Sequence, residues 1–178
     1  MLATLVATAA LTFSPASPPP APPVATAASS CRGAYARHGD KRREHAVRCL
    51  LNAARARRGL PRLRASRALS RAARRHARDM VRRGFFSHVS PGGSTPVTRA
   101  RSAGYASSTV GETIAFGSGF SGTPISTVSR WLRSPPHAAV IYSASLREVG
   151  VGIASGSPVR GRGGTTVSAD FGRRFGKR

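Results

Sequence analysis

The stretch that most constrains this chain is an amphipathic helix with a defined start and end, followed by a turn-rich loop that carries a histidine. Ser66 is a suitable N-cap, and Gly84 suits the C-terminal end of a helix. Apolar positions between them recur at helical spacing and predict one buried stripe, namely Leu69, Ala72, Ala73, His76 and Met80. The loop at residues 84–93 reads Gly-Phe-Phe-Ser-His-Val-Ser-Pro-Gly-Gly. The sequence therefore predicts a helix that ends at Arg83, with His88 in the loop that follows it.

A second face of this helix carries arginines at intervals of three or four residues. They are Arg67, Arg71, Arg74, Arg78 and Arg82. Such a row can contact an anionic polymer, but a row of solvated charges is the commoner case, and we interpret it in that way. His76 lies on the apolar side and is interpreted as a hydrogen-bonded core histidine.

Helical patterns come first along the chain and strand patterns come last. Apolar spacing predicts a first helix from about Asp40, a short helix over residues 96–103 and a further helix that begins at Pro124. Residues 110–116 are predicted to be extended, and residues 148–154 and 165–171 are predicted to form an antiparallel hairpin with a long loop. This order predicts an α+β layered domain rather than alternating βαβ units.

The 178 residues fit one domain, and their formal net charge of +23 comes almost wholly from arginine. Such a charge suits anionic partners, including phospholipid head groups and acidic wall polymers. Specific nucleic-acid binding is not expected, because aromatic residues are few and no recognition motif is present.

The first 28 residues resemble a secretory leader. An apolar run from Leu2 to Phe13 is followed by proline, alanine and small residues of the signal-peptidase type, although a positively charged start is missing. The run is too short to span a membrane, and no later stretch is long enough. A secreted protein is therefore predicted, with no transmembrane segment in the mature chain.

Two cysteines, Cys31 and Cys49, follow the leader. In an oxidising compartment such a pair favours a disulfide over two free thiols. The alternative is a lipid on Cys31, but the leucine usual at the third position before a lipid-bearing cysteine is absent.

Three residues can carry chemistry. Glu112 is one of six acidic residues and has apolar neighbours, while His88 and His137 are predicted to lie in turns bounded by proline and glycine. Two imidazoles and a carboxylate are enough to bind zinc with a position left for water, and the same groups can transfer protons without a metal. A purely structural role for all three is an equal alternative. Residues 117–122 match G-x-G-x-x-G, but no βαβ context surrounds them, so a flexible loop is predicted there.

Taken together, an ordered set of short motifs resembles the CAP superfamily of cysteine-rich secretory, antigen 5 and pathogenesis-related 1 proteins, in its bacterial secreted, SCP-like branch. The resemblance covers about residues 45–172. Its most specific pieces are Gly-Phe-Phe-Ser-His ending at His88, Val-Gly-Glu ending at Glu112, Trp-Leu-Arg-Ser-Pro-Pro-His ending at His137, Glu-Val-Gly-Val-Gly from Glu148, and Asp-Phe-Gly from Asp170.

This resemblance implies an α-β-α sandwich with a small antiparallel sheet between helices and a cleft lined by His88, Glu112 and His137. The chain departs from the family pattern around that cleft, at Thr113, Ser134, Pro136, Ala138 and Val140. Ser134 takes the place of a further glutamate, and Glu148 is expected to be a strand-entry residue rather than its substitute. A tentative zinc site at His88 and His137 is therefore weakened, because groups that orient metal ligands matter for affinity.

The predicted organisation is a signal peptide at residues 1–28, a linker with a disulfide cysteine at 29–44, a CAP domain at 45–172 and a basic tail at 173–178. The predicted function is a secreted binding module for a lipid, an envelope or wall component, or another anionic partner, with no firmly implied catalysis. The alternative is a metal-dependent hydrolase or protease that uses His88, Glu112 and His137. The ligand and the oligomeric state are not predicted.

Overall fold

The computed structural model describes residues 28–107, 109–159 and 163–174. The helices are α1 (Asp40–Ala56), α2 (Arg67–Arg83), α3 (Pro96–Ser102), α4 (Pro124–Arg133) and α5 (Pro135–Tyr142), and the strands are β1 (Arg64–Ala65), β2 (Val110–Gly117), β3 (Glu148–Ser155) and β4 (Thr165–Gly172). The predicted signal peptide, apart from its last residue, and the last four residues of the predicted basic tail lie outside the described residues. None of the described helices has the length and apolar character needed to cross a membrane.

The predicted helix after Ser66 is confirmed as α2. The Ser66 hydroxyl accepts the backbone N–H of Leu69 at 3.4 Å, which satisfies one of the donors at the helix start. Gly84 ends the helix with a φ of 66°, a left-handed conformation that glycine adopts without steric cost. The predicted apolar stripe is buried, and His76 is 1 % exposed. Helix α2 therefore ends directly before the loop that carries His88.

The four strands form one sheet in the order β1-β3-β4-β2. Strands β3 and β4 form the predicted antiparallel hairpin, and β4 also pairs antiparallel with β2. In this register Asp170 lies opposite Glu112 on one side and Gly150 on the other. The two-residue β1 pairs parallel with β3 and was not predicted, because a strand this short has no periodicity of its own.

Helices cover both faces of the sheet, so the predicted α-β-α sandwich is confirmed. Helices α2 and α3 lie on one face, and helices α1, α4 and α5 lie on the other. Helix α2 lies directly on β3, since a Cβ added at Gly150 would be 2.0 Å from the Ser70 amide nitrogen and one added at Gly152 would be 2.1 Å from that of Arg74. These two strand positions must therefore be glycine for the helix to come this close.

The N-terminal segment is attached to the domain in two places. Cys31 and Cys49 form the predicted disulfide. The backbone N–H of Ile125 at the start of α4 donates to the Ala34 carbonyl at 2.9 Å. Residues 40–44, which belong to the predicted linker, form the first turn of α1. Their buried Arg43 donates to the Thr165 hydroxyl at 2.8 Å, so this part of the linker packs against the sheet.

Helix α5, which carries His137, is held in place by a buried arginine of α1. The Arg55 guanidinium donates to the backbone carbonyls of Ile141 and Ser143 at 2.7 and 2.9 Å, and also to those of Leu146 and Pro61. Burial and the nearby charge of Arg147 lower the pKa of Arg55. Five N–H donors make arginine suited to bonding several carbonyls at once.

The glycine-rich stretch after β2 is more ordered than predicted. Residues Gly119–Gly122 form a short 3-10 helix, where a flexible loop was expected. A Cβ at Gly117 would be 2.5 Å from the Ser121 carbonyl oxygen, so the two ends of the stretch are in close contact. Strand β2, which precedes the stretch, is hydrogen-bonded only to the antiparallel β4 among the described strands, so the stretch lacks the paired parallel strands of a dinucleotide site.

Candidate functional site

His88 and Glu112 lie in direct contact at the C-terminal end of α2. His88 Nδ1 is 2.6 Å from Glu112 Oε1, and the His88 side chain is 48 % exposed while that of Glu112 is 1 % exposed. A carboxylate only accepts hydrogen bonds, so Nδ1 carries the proton and donates it toward Oε1. His76 Nε2 likewise donates to the Ser87 carbonyl at 3.0 Å and fixes the loop just before His88. The pair is thus an exposed imidazole oriented by a buried carboxylate.

The second carboxylate oxygen of Glu112 is also occupied. Arg99 of α3 donates to Oε2 at 2.6 Å, and the hydroxyl of Ser168 on β4 donates to the same atom at 3.2 Å. His76 Nε2 lies 3.7 Å from Oε2. The other guanidinium nitrogen of Arg99 donates to the carbonyls of His88 and Ser94 at 2.9 and 2.7 Å. Arg99 therefore positions both the carboxylate and the backbone that holds the histidine.

The pKa of Glu112 is set by two opposing effects. Burial raises the pKa of this carboxyl, but the hydrogen bond from His88 and the positive charge of Arg99 outweigh burial and place its pKa below the ordinary value. Asp170, opposite Glu112 on β4, responds differently. Burial and the negative charge of Glu112 raise the pKa of Asp170 well above its ordinary value. The two acids therefore respond to burial in opposite ways: Glu112 gives up its proton more readily than a free glutamate, and Asp170 holds its proton to a higher pH than a free aspartate.

His137 lies in the first turn of α5, which corrects the prediction that it lies in a turn bounded by proline and glycine rather than on a helix. The prediction was wrong because Pro135 and Pro136 were interpreted as turn residues, whereas proline is accommodated in the first turn of a helix. His137 Nδ1 is 2.8 Å from the Ser134 hydroxyl. Burial, and to a smaller extent the charge of His88, lower the pKa of His137.

Glu148 lies at the start of β3, as expected of a strand-entry residue. Its Oε2 accepts the hydroxyl proton of Tyr105 at 2.6 Å and lies 3.4 Å from Arg174 Nε. Burial and this hydrogen bond raise the pKa of Tyr105. Glu148 is thus engaged with Tyr105 rather than with the pair formed by His88 and Glu112.

The tentative zinc site does not fit this geometry. Within the described residues, no group of three or more histidine, cysteine, aspartate or glutamate side chains is arranged to hold a metal ion. Both oxygens of Glu112 accept hydrogen bonds from protein groups, which leaves His88 and His137 without a third protein ligand among the described residues. The side chains present therefore do not supply the three protein ligands of a zinc site with an open position.

Three residues of this cluster were not singled out from the sequence. Arg99 gave no signal, because it is one of many arginines and lies in a short helix. Asp170 and Ser168 alternate along β4 on the same face, and the scarcity of acids together with this alternation could have pointed to Asp170. The pairing of β4 with β2 brings Ser168 and Asp170 to Glu112. Because this pairing joins positions more than fifty residues apart, neighbours in the sequence do not indicate it.

Comparison with known proteins agrees with the fold. A solved extracellular protein of Bacillus anthracis that contains an SCP domain matches with a TM-score of 0.64 at 24 % identity, over 76 % of this chain and 41 % of that one. An outer surface protein of Borrelia burgdorferi matches with a TM-score of 0.61 at 18 % identity, over 72 % of this chain and 90 % of that one. At these identities the structural matches establish the fold alone.

The sequence comparisons identify the family to which the chain belongs. The uncharacterized protein YkwD of Bacillus subtilis is 36 % identical over 109 residues, which are 61 % of this chain and 41 % of that protein. The chain thus spans less than half the length of this relative. The model of the cysteine-rich secretory protein family matches residues 49–171. With most of its length matched, from the second half of α1 to Phe171 in β4, this chain belongs to the cysteine-rich secretory protein family, also called CAP.

Proposed function

We propose that this protein is a secreted binding module that recognises a lipid, envelope or wall component through the cleft at His88 and His137. The observation that carries the proposal is the half-exposed His88 imidazole, whose Nδ1 is held by the buried Glu112 carboxylate. An imidazole fixed in this way offers its Nε2 to a ligand in one tautomer and one orientation. His137 supplies a second imidazole, and its Nδ1 is likewise held, by Ser134.

The chemistry of the cleft suits a polar ligand group. With Nδ1 bonded to Glu112, neutral His88 accepts a hydrogen bond at Nε2, for example from a sugar or lipid hydroxyl. Protonated His88 instead donates there to an anion. The net charge of +23 raises the local concentration of anionic ligands.

Several observations support secretion. The disulfide between Cys31 and Cys49 is typical of proteins from oxidising compartments. A signal peptide at residues 1–28 is proposed from the sequence, ahead of a linker at 29–44, a CAP domain at 45–172 and a basic tail at 173–178. The solved relatives are described as extracellular and outer surface proteins.

The geometry supports binding better than the alternative of a metal-dependent hydrolase. A hydrolase of that kind needs Glu112 as a metal ligand or as a base that takes a proton from water. Here its two oxygens are 2.6 Å from His88 Nδ1 and from a nitrogen of Arg99, and its pKa is lowered. Zinc analysis of the purified protein beside its His88→Ala/His137→Ala variant tests the alternative, since a metal content that falls in the variant would favour the hydrolase.

The binding proposal is tested by co-sedimentation with insoluble bacterial cell-wall fragments and with lipid vesicles, at two salt concentrations. We expect His88→Gln/His137→Gln to weaken binding by about tenfold, because each imidazole contributes a hydrogen bond to the ligand. The matched control is His38→Gln/His45→Gln, which removes two exposed histidines outside the cleft. Equal binding by the cleft variant and the control, with both folded by circular dichroism, would contradict the proposal.

A further inference from the structure

A second feature is a cavity of about 510 Å³ between the C-terminal half of α2 and the segment that leads from the His88 loop into α3. It shares Arg99 and His76 with the surroundings of Glu112, but neither His88 nor His137 lines it. Five arginines and one aspartate are among the described residues that line it. The arginines are Arg75, Arg78, Arg82, Arg83 and Arg99, and the aspartate is Asp79. Such an excess of cationic groups around a concave space strengthens the positive electrostatic potential there and attracts anionic ligands. We name this cavity the arginine groove.

The charges of the groove are only partly compensated by protein groups. Arg82 and Arg83 share Asp79, at 3.1 and 3.5 Å, and Arg99 is bonded to Glu112. Arg75 and Arg78 have neither a hydrogen bond nor an ion pair with any of the residues that the structure describes. Two of the lining guanidinium groups are thus exposed and available to a ligand.

The arginine row expected from the sequence is divided by the fold. Arg71 donates to the Ala103 carbonyl at 2.6 Å and Arg74 donates to Glu44 at 2.7 Å, so these two have structural roles. Arg78 and Arg82 of the same row face the groove and are joined there by Arg75, which was not part of the predicted row. The interpretation as a solvated face therefore fits only part of the helix.

The opposite wall of the groove consists of small polar residues. Ser90, Ser94 and Ser102 line it together with Gly92. Hydroxyl groups opposite guanidinium groups are suited to phosphate, which has several acceptor oxygens pointing in different directions. Arg75, Arg78 and Arg82 are spaced over about 10 Å along α2, which is longer than a single phosphate and fits successive phosphates of one chain.

The composition of the lining also separates two kinds of phosphate polymer. Proteins that bind single-stranded nucleic acids without sequence preference stack bases on aromatic rings. Within the part of the chain that the structure describes, the groove lining includes no phenylalanine, tyrosine or tryptophan. We propose that the arginine groove binds a linear phosphate polymer without nucleobases, of the kind formed by polyol-phosphate or polyphosphate chains. This site is distinct from the cleft of the proposed function and goes beyond it.

The test measures binding of long-chain polyphosphate to the purified chain by fluorescence anisotropy or calorimetry. We expect Arg75→Gln/Arg78→Gln to weaken binding by about tenfold or more, because each variant position loses a charge-assisted hydrogen bond to phosphate. The matched control is Arg62→Gln/Arg133→Gln, which removes two exposed arginines outside the groove and changes the net charge equally. Its binding should stay within about twofold of the unmodified protein at physiological salt, where exposed charges are screened.

Each outcome decides the proposal. Equal losses in the groove variant and the control would show that net charge alone attracts the polymer, and would overturn the site. A groove variant that loses binding to phosphatidylglycerol vesicles but keeps binding to polyphosphate would assign the groove to lipid head groups and overturn the polymer. Stronger binding of single-stranded DNA than of polyphosphate would overturn the class of ligand.

A further variant separates this proposal from the proposed function. His88→Gln/His137→Gln should leave polyphosphate binding unchanged if the groove is a site of its own. Loss of polyphosphate binding in that variant would place the phosphate in the cleft and contradict the separate site. Loss of wall binding in the same variant, with polyphosphate binding retained, supports both proposals.

Discussion

The two faces of the sheet stand in contrast, although the same strands supply both. Along β4 the side chains of Val167, Ala169 and Phe171 pack into the main apolar core, while Ser168 and Asp170 face α2 and Glu112. All five residues are buried. The apolar face is stabilised by the area that it removes from water, whereas the α2 face depends on specific partners for its polar groups. The polar cluster around Glu112 thus lies on the α2 face of the sheet, and the larger apolar cluster lies on the other face.

The largest effect is expected on the apolar face. Phe171→Ala should lower the free energy of unfolding by about 4 kcal/mol, because it leaves a cavity in the main apolar core at a fully buried position. Urea unfolding followed by circular dichroism measures this. The loss should be the same at pH 5 and pH 7, since no titrating group is removed. A loss below about 1 kcal/mol would show that the core relaxes around the site.

On the α2 face a smaller but still large effect is expected from Arg99. Arg99→Met should cost about 3 kcal/mol, because it leaves the Glu112 carboxylate buried without its cation. Urea unfolding again provides the measurement. The double variant Arg99→Met/Glu112→Gln should recover part of the loss, since no buried charge then lacks a partner. Equal instability of the single and double variants would mean that Arg99 acts through its carbonyl contacts at His88 and Ser94 alone.

The smallest effect, and the one that separates the two faces by pH, is expected from Asp170. Its pKa is raised in the folded protein by burial and by Glu112, so its contribution to stability is greatest below the ordinary aspartate pKa and is lost as pH rises. Asp170→Asn removes this titration and keeps a hydrogen-bond donor. The stability of the variant relative to the unmodified protein should therefore be greater at pH 7 than at pH 5. Melting temperatures at both pH values measure the gain, and an unchanged difference would refute the raised pKa.

Local signals made much of the fold predictable. Ser66 and Gly84 lie directly before and after α2 in the sequence, and they predicted where this helix begins and ends. The two β-branched runs predicted the hairpin of β3 and β4. Strand β1 and helix α5 were missed, because the first depends on a partner more than eighty residues away and the second begins with two prolines that suggested a turn. Features defined by neighbours in sequence were found, and features defined by neighbours in space were not.

The residues of the candidate site also differ in whether neighbours in the sequence indicate them. Glu112 and His88 stood out through scarcity and loop context, and the structure places them in contact. Arg99, Ser168 and Asp170 complete the surroundings of the carboxylate, and each reaches it through strand pairing or helix packing. The sequence thus indicated His88 and Glu112, but not the residues that position them. Those positions depend on the register of β2 against β4 and on the packing of α3, which short sequence motifs do not show.

The glycines beneath α2 determine how closely the helix that carries the His88 loop and the arginine groove packs on the sheet. Gly150 and Gly152 bring the helix backbone against β3 with no side chain between them, so any larger residue at either position would push the helix away from the sheet. One side of this helix carries His76, which fixes the loop at Ser87, and another carries Arg75 and Arg78. The His88 loop and the arginine groove are therefore both attached to one helix whose backbone packs directly on the sheet, so a substitution that displaced this helix would move both together.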